Sequence, residues 1–271
     1  MTLTTRLVYP VNSGGVGQVM RGDIDGGAFQ ALDEIAGEMQ GVAMLPTSKI
    51  IVYSLKRGSS HDLRTFDYAT NARQDLTTDS AQDLNPVWAS DKCDSVVFQS
   101  DRDNPGGAPS LYLMQLSDKK ITRLVEKPGD DPSPGVDLRG RRTVYFAMRQ
   151  GEQSSIQSLT LPGGQPMEVV SGRGNVMRPS PSPSGIHLAY LVQEATGASL
   201  EVIEIKTKKL VFRKDGASPR GWIAWSPEGD KLAYQVEDRS QARIVLVHPV
   251  SGRSVVHPNF LMALGRFAWV K

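Results

Sequence analysis

The chain holds one cysteine, Cys93, among 271 residues. No intrachain disulfide is therefore possible, and no cysteine-based zinc site can be assembled. Charge of one sign is scarce as well. Thirty-one basic residues against 29 acidic ones leave a net charge of +2, too weak a field for a nucleic-acid binder that works by neutralising phosphates. The longest basic clusters, Arg139-Gly140-Arg141-Arg142 and Lys206 to Lys209, are short and read as solvated turns. No apolar run approaches the ~18 residues that would span a membrane. Met1 to Arg6 contains no apolar h-region, so no secretory signal is expected. As written the chain reads as cytoplasmic, or as periplasmic if it is a mature form.

Catalytic signatures are missing too. There is no Gly-x-Ser-x-Gly nucleophile elbow and no His-Glu-x-x-His. The four histidines, His61, His187, His248 and His257, are scattered. His187 reads as an exposed turn residue and His248 as the end of a strand. His61 is placed in a loop and His257 in a linker before the last strand. Asn12-Ser13-Gly14-Gly15-Val16-Gly17 is glycine-rich, but a phosphate loop needs a helix after it, and Gln18-Val19-Met20 reads as a strand. A hairpin loop is expected there. No metal and no cofactor are expected.

What is abundant is turn chemistry, with 26 glycines and 17 prolines, and it recurs at a fixed period. Six apolar runs end in an aromatic: Leu7-Val8-Tyr9, Ile51-Val52-Tyr53, Val96-Val97-Phe98, Thr143-Val144-Tyr145, Leu188-Ala189-Tyr190 and Leu232-Ala233-Tyr234. The steps between the aromatics are 44, 45, 47, 45 and 44, the period of a propeller blade. Before Tyr234 stands Trp225-Ser226-Pro227-Glu228-Gly229-Asp230-Lys231. Its counterparts begin at Met44, Trp88, Val136 and Pro181. Pro227 and Gly229 have the chemistry of a tight turn, and Pro183 and Gly185 repeat it. A third strand and a short turn into a fourth follow in each period, which makes a four-stranded antiparallel blade. Asp25-Gly26-Gly27 and Ser251-Gly252 are examples of that last turn. Ala31 to Gly41 reads as the fourth strand of the first blade plus a linker.

The termini settle the blade count. Arg266-Phe267-Ala268-Trp269 looks like an innermost strand without its blade, and Leu7-Val8-Tyr9 lacks a Trp strand before it. Across the join Trp269 and Tyr9 are 11 positions apart, against 9 or 10 within a blade. The expectation is an all-β, six-bladed propeller in a single domain, closed by pairing the C-terminal strand with the N-terminal blade. The blades span about 1–38 with 264–271, 39–80, 81–127, 128–172, 173–215 and 216–258. Closure removes the exposed edges of an open array.

Asn85-Pro86-Val87-Trp88-Ala89-Ser90-Asp91, then Val96 to Asp103, then Leu111-Tyr112-Leu113-Met114, resembles the repeat of TolB-like propellers, a WD40-like repeat. That pattern is Pro-x-Trp-Ser-Pro-Asp-Gly, an apolar strand ending in Ser-Asp-Arg-Asp, and a strand like Ile-Tyr-Val-Met. Trp225-Ser226-Pro227-Glu228-Gly229 is a second close match, and as repeats the likeness covers nearly the whole chain. The resemblance implies the architecture. In the family, the name-giving periplasmic protein carries an additional N-terminal α/β domain and belongs to a cell-envelope complex. Here the sequence starts directly in a propeller strand, so that domain is expected to be absent. Other relatives are oligogalacturonate lyases or propeller caps on serine peptidases.

A fold does not dictate a function, and two readings remain. The first is a non-catalytic binding or scaffold module for a protein or peptide, which could be one subunit of a larger assembly. The second is a carbohydrate- or peptide-active enzyme that uses the channel mouth. Loops on a rigid scaffold commonly carry recognition. The loops between second and third strands, and those joining blades, leave from one face and read as the long, polar ones. They supply the candidate partner-binding residues Asn12, Arg57, His61, Asp101, Arg102, Asp103, Arg149, Glu152, Glu237, Asp238 and Arg239, with Asp83, Asp131, Arg178, Arg220 and Asn259 from the blade connections. Acids and arginines are mixed, which suits a polar partner better than a polyanion. Asp101 and Asp103 are also expected to fix their turn by accepting backbone N–H bonds, with Arg102 pairing locally.

Overall fold

Each period folds into one sheet. The computed structural model describes residues 6–24, 29–129, 131–140, 142–172, 174–238, 241–262 and 265–270. The first blade contains β1 (Arg6–Ser13), β2 (Val16–Asp23) and β3 (Phe29–Ala36). The second has β4 (Met39–Met44), β5 (Ile50–Arg57), β6 (Ser60–Asp67) and β7 (Ala72–Asp75). The third has β8 (Leu84–Trp88), β9 (Ser95–Ser100), β10 (Ser110–Gln115) and β11 (Ile121–Val125). The fourth has β12 (Gly135–Asp137), β13 (Thr143–Gln150), β14 (Gln153–Thr160) and β15 (Met167–Ser171). The fifth has β16 (Asn175–Pro181), β17 (His187–Glu194), β18 (Gly197–Glu204) and β19 (Leu210–Ala217). The sixth has β20 (Ile223–Trp225), β21 (Leu232–Asp238), β22 (Gln241–Val247) and β23 (Ser254–Met262), and β24 (Ala268–Val270) returns to the first.

Every sheet is antiparallel and four-stranded, and the first has the order β24-β1-β2-β3. The closing pairs are Arg6 with Val270, Leu7 with Trp269 and Val8 with Ala268. The propeller expected from the period, closed as expected, is the fold.

Strand composition follows position in the blade. The second strand of a blade is sandwiched between two neighbouring sheets, so both faces are buried and the run is mostly apolar rather than alternating. Ile51 to Leu55 and Leu188 to Val192 are buried throughout. Outer strands face water and are charged, as in β7 (Ala-Arg-Gln-Asp). Blades adhere through apolar clusters at their interfaces. One joins Leu7, Tyr9, Phe267 and Trp269 of the first blade to Trp222, Ala233 and Ile244 of the sixth.

Several local expectations need correcting. The turns between second and third strands are not long. The turns after β1, β5, β13 and β17 each hold two residues, and only the one after β9 is long, from Asp101 to Pro109. Gly14 and Gly15 both take positive φ, 59° and 80°, the requirement of a type I′ hairpin, whose twist matches the strands. The apolar and polar runs simply continue as strand to the tip. His61 therefore lies in β6 rather than a loop, and His257 and Asn259 lie in β23 rather than a linker. Ala31 to Gly41 crosses a boundary: β3 ends at Ala36, and Met39 already opens the second blade. His187 is not an exposed turn residue. It opens β17 half-buried, its ring stacked 6.2 Å from that of Trp225. Asp25-Gly26-Gly27, Arg141 and Arg239 lie outside the described residues.

Candidate functional site: a closed-ended central channel

The innermost strands of the six blades surround a cavity of about 330 Å3, within the size range of small-ligand sites. Its wall is mainly apolar and includes Val42, Trp88, Val136, Trp225, Phe267 and Trp269. Trp88, Trp225 and Trp269 hold one repeat position in three blades. They differ in one respect: Trp225 Nε1 donates to the Ser180 carbonyl at 2.8 Å, whereas Trp88 Nε1 and Trp269 Nε1 are buried without a partner. The lining runs outward to Leu45, Pro46, Leu138, Arg139, Ser182 and Pro183. These stand where the first strand of a blade turns into the second, so the mouth opens opposite the blade-connecting face.

The inner end is closed by residues three positions before the tryptophan position: Gly41, Asn85, Ser133, Arg178, Trp222 and Arg266. The backbone delivers them inward. Register shifts at Gln40/Val42, Leu84/Val87 and Met177/Ser180 bulge the inner strands there. Gly41, Asn85, Ser133 and Arg178 adopt φ of 65°, 53°, 42° and 56°. For Gly41 this costs nothing, and a Cβ there would stand 3.3 Å from Asn85 Oδ1. For Arg178 it is a strained conformation that the surroundings must enforce.

Two guanidinium groups meet over one indole. Arg178 Cζ lies 4.0 Å and Arg266 Cζ 4.3 Å from the Trp222 ring centroid. Arg178 pairs with Asp131 at 3.0 Å, and Asp131 also accepts from Asn85 Nδ2 at 3.5 Å. Arg266 crosses the axis, from the strand that closes the first blade, to donate from Nη2 to the Pro134 carbonyl at 2.5 Å beside the fourth. Among the described residues it makes no ion pair, and its Nε has no partner. Burial, with the charge of Arg178 beside it, pushes the Arg266 guanidinium down to about 9, so it stays charged at neutral pH. Burial likewise lowers Arg178, against the pull of Asp131.

Of the residues expected to bind a partner, Asp131 and Arg178 belong to this floor. The other described ones sit on the blade-connecting face. There the connections meet the second-to-third-strand turns, as in the bridge from His61 to Gln82. Many of their side chains are engaged within the chain. Asn12 exchanges hydrogen bonds with the Met39 backbone at 2.9 and 2.8 Å. Arg57 pairs with Asp75 at 3.0 Å, and His61 Nδ1 bonds Gln82 Oε1 at 2.6 Å. Asp101 accepts backbone N–H bonds from Gln82 and Gly106 at 2.7 and 2.8 Å, which fixes its turn. Asp103 does not do so by backbone bonds: Tyr112 Oη and Arg123 Nη1 donate to it at 2.7 and 2.9 Å. Arg102 grips the fully buried Asp83 with Nη2 at 2.9 and 3.0 Å. Burial raises the Asp83 carboxyl, partly offset by Arg102. Arg220 pairs with Glu237 at 2.5 Å. Arg149 and Glu152 are exposed. Nothing is described of the Asp238 and Asn259 side chains, and Arg239 lies outside the described residues.

Asn85, Trp222 and Arg266 were missed as site residues. Their signal was the period: each precedes an aligned tryptophan by three.

A closed ring of six four-stranded antiparallel sheets around a central recess defines a six-bladed β-propeller. The family profile of the TolB beta propeller domain matches residues 4–206, and the chain belongs to that family. Solved structures agree. TolB from Acinetobacter baumannii superposes with a TM-score of 0.84 at 17% identity, over 97% of this chain and 66% of that one. This chain thus spans about two thirds of that protein's length. Putative TolB from Agrobacterium tumefaciens gives 0.71 at 11% identity, over 98% and 92%. An oligogalacturonate lyase in complex with manganese gives 0.65 at 13% identity, over 93% and 77%. At such identities the likeness is one of fold. No curated protein matches the chain in sequence.

Proposed function

We propose that this chain is a non-catalytic binding module that receives part of a protein or peptide partner in its central channel. The observation that carries the reading is the channel itself: a preformed apolar recess with a few convergent polar groups at its inner end, held by six interlocked sheets. The groups at the floor are guanidinium, indole, amide, the Ser133 hydroxyl and one carboxylate, Asp131, which that hydroxyl and Arg178 both engage. They suit recognition, and they include no activated nucleophile or acid–base pair. Among the described residues no three His, Cys, Asp or Glu side chains gather to hold a metal ion. Exposed residues of the blade-connecting face, Arg149 and Glu152 with Asp103, form a second contact surface in this proposal.

The test is affinity capture with the intact chain as bait, beside an Ala43→Trp variant that fills the channel from its wall. A partner retained by the wild type and released by the variant is the expected result. A partner indifferent to the filling moves the contact out of the channel. Turnover of polygalacturonate or peptide substrates by the purified chain would overturn the non-catalytic reading.

A further inference from the structure

Buried charges in proteins are paired, because removing an ion from water is costly unless an opposite charge and hydrogen bonds replace the solvent. Three arginines line the channel, an exposed one and two largely buried ones, and two of the three are paired. Arg139, near the mouth, pairs with Asp137 at 3.3 Å, and Arg178 pairs with Asp131 at 3.0 Å. Arg266 is the exception. It is more than nine-tenths buried and lines the cavity. Its Nη2 donates to a neutral carbonyl, and Nε is unpartnered among the described residues. Its charged neighbours are Arg178, which repels it, and Asp131, which attracts it but is already paired with Arg178 at 3.0 Å. The Trp222 ring face compensates part of the cation, but it offers no acceptor to the free donors of the guanidinium fork. Trp88 Nε1 and Trp269 Nε1 add two more unpaired donors in the wall. The channel end is short of one anion and of hydrogen-bond acceptors.

Resting on the channel-binding reading above, we infer that the channel takes a carboxylate on an apolar stem, the carboxylate reaching Arg266 and the stem lying against Trp225, Phe267 and Trp269. A peptide can supply that chemistry from its C-terminus or from an acidic side chain flanked by apolar residues. A bidentate guanidinium–carboxylate pair in a water-poor recess is among the stronger polar contacts available.

The probes are three peptides titrated into the wild-type chain and followed by tryptophan fluorescence and calorimetry. They are acetyl-Ala-Leu-Phe with a free C-terminus, its C-terminal amide, and acetyl-Ala-Glu-Phe amide. At least one carboxylate peptide is expected to bind about tenfold or more tightly than the plain amide, which separates the two sources of the carboxylate. Arg266→Met, in which an apolar chain replaces a buried ion, should fold and lose that preference. Arg266→Lys keeps the charge without the fork; should the Met variant not fold, a reduced preference in the Lys variant supports the inference and an undiminished one overturns it. Equal binding of all three peptides keeps the channel as a peptide site and defeats the carboxylate inference. Binding by none, or a full response to sodium chloride alone, defeats it as well, and the capture experiment then judges the channel reading separately.

Discussion

Trp225 and Trp269 occupy the same repeat position, are buried to similar extents at 7% and 4% exposure, and differ in a single bond. Replacing each by Phe removes a similar volume from a packed inner wall, and by cavity arithmetic that costs on the order of 1 kcal/mol. At Trp225 the change also strips the Ser180 carbonyl of its donor, which sits 2.8 Å away. A buried acceptor left unpaired costs about 1–3 kcal/mol; Ser180 is only half-buried, so the lower end applies. At Trp269 the indole N–H is already unpartnered, and its removal relieves a desolvated donor. Trp225→Phe should therefore be the more destabilising of the two by roughly 1–2 kcal/mol. Equilibrium urea unfolding followed by circular dichroism, which survives the loss of a tryptophan, measures both, with equal m-values as the check on two-state behaviour. Equal losses, or a larger loss at Trp269, would refute the assignment of these bonds.

Removing 265–271 should open the ring. Burial of Phe267 and Trp269 is worth about 1.5–3 kcal/mol each, and β1 gains a free edge, so a monomer of unchanged melting temperature would contradict the closure. Arg102→Met leaves the Asp83 carboxylate buried and unpaired and should cost about 3–5 kcal/mol, measurable by denaturant titration; Arg149→Glu, on the same face but exposed, should cost little. The pH dependence should separate two carboxylates. Hydrogen bonding from Arg64 holds Asp75 below its ordinary 3.8, so its stabilisation is present above that value and lost as pH falls through the folded pKa. Asp83, raised by burial, contributes in the opposite sense: full below its ordinary value, lost as pH rises through the folded one. Unfolding titrations across the acid range should thus show a shallower acid loss in Asp75→Asn and a steeper one in Asp83→Asn; indistinguishable curves would remove both assignments.

The blades were legible because each period repeats the same physical problem. A strand buried on both faces must be apolar, and a hairpin must contain residues that tolerate its φ, so Ile51 to Tyr53 or Pro227 to Gly229 announce themselves whatever the neighbours are. Closure was legible for the same reason, since Trp269 and Tyr9 are two halves of one period. Loop length was not. The run of β13 into Arg149 and of β21 into Glu237 turns polar near the tips, where sandwiching by neighbouring blades ends. Polarity there reports the rim of a sheet, not the end of a strand. The same confusion inflated the list of binding residues. Arg102 looks like an exposed loop cation in sequence, yet it is spent on Asp83, which lies 19 positions away and is fully buried.

The floor of the channel was hidden for a different reason. Its residue types, Gly41, Asn85, Ser133, Arg178, Trp222 and Arg266, share nothing except position, so no pattern of composition marks them. Periodicity finds positions where all blades need the same thing. A site on the propeller axis is where the blades must differ, because six identical side chains converging on one point would clash if large and repel if charged. The inner position therefore mixes smaller residues, from Gly41 to Ser133, with large ones in the next three blades, and each large one is held by something specific: Arg178 by Asp131, Trp222 between neighbours of the sixth-blade interface, Arg266 by a carbonyl across the axis. The rule that follows for this architecture is to align the repeats first and then look for the inner-strand column in which they disagree. Here that column holds Arg266, a buried arginine that makes no ion pair among the described residues, and it is where an anionic ligand would have most to offer the fold.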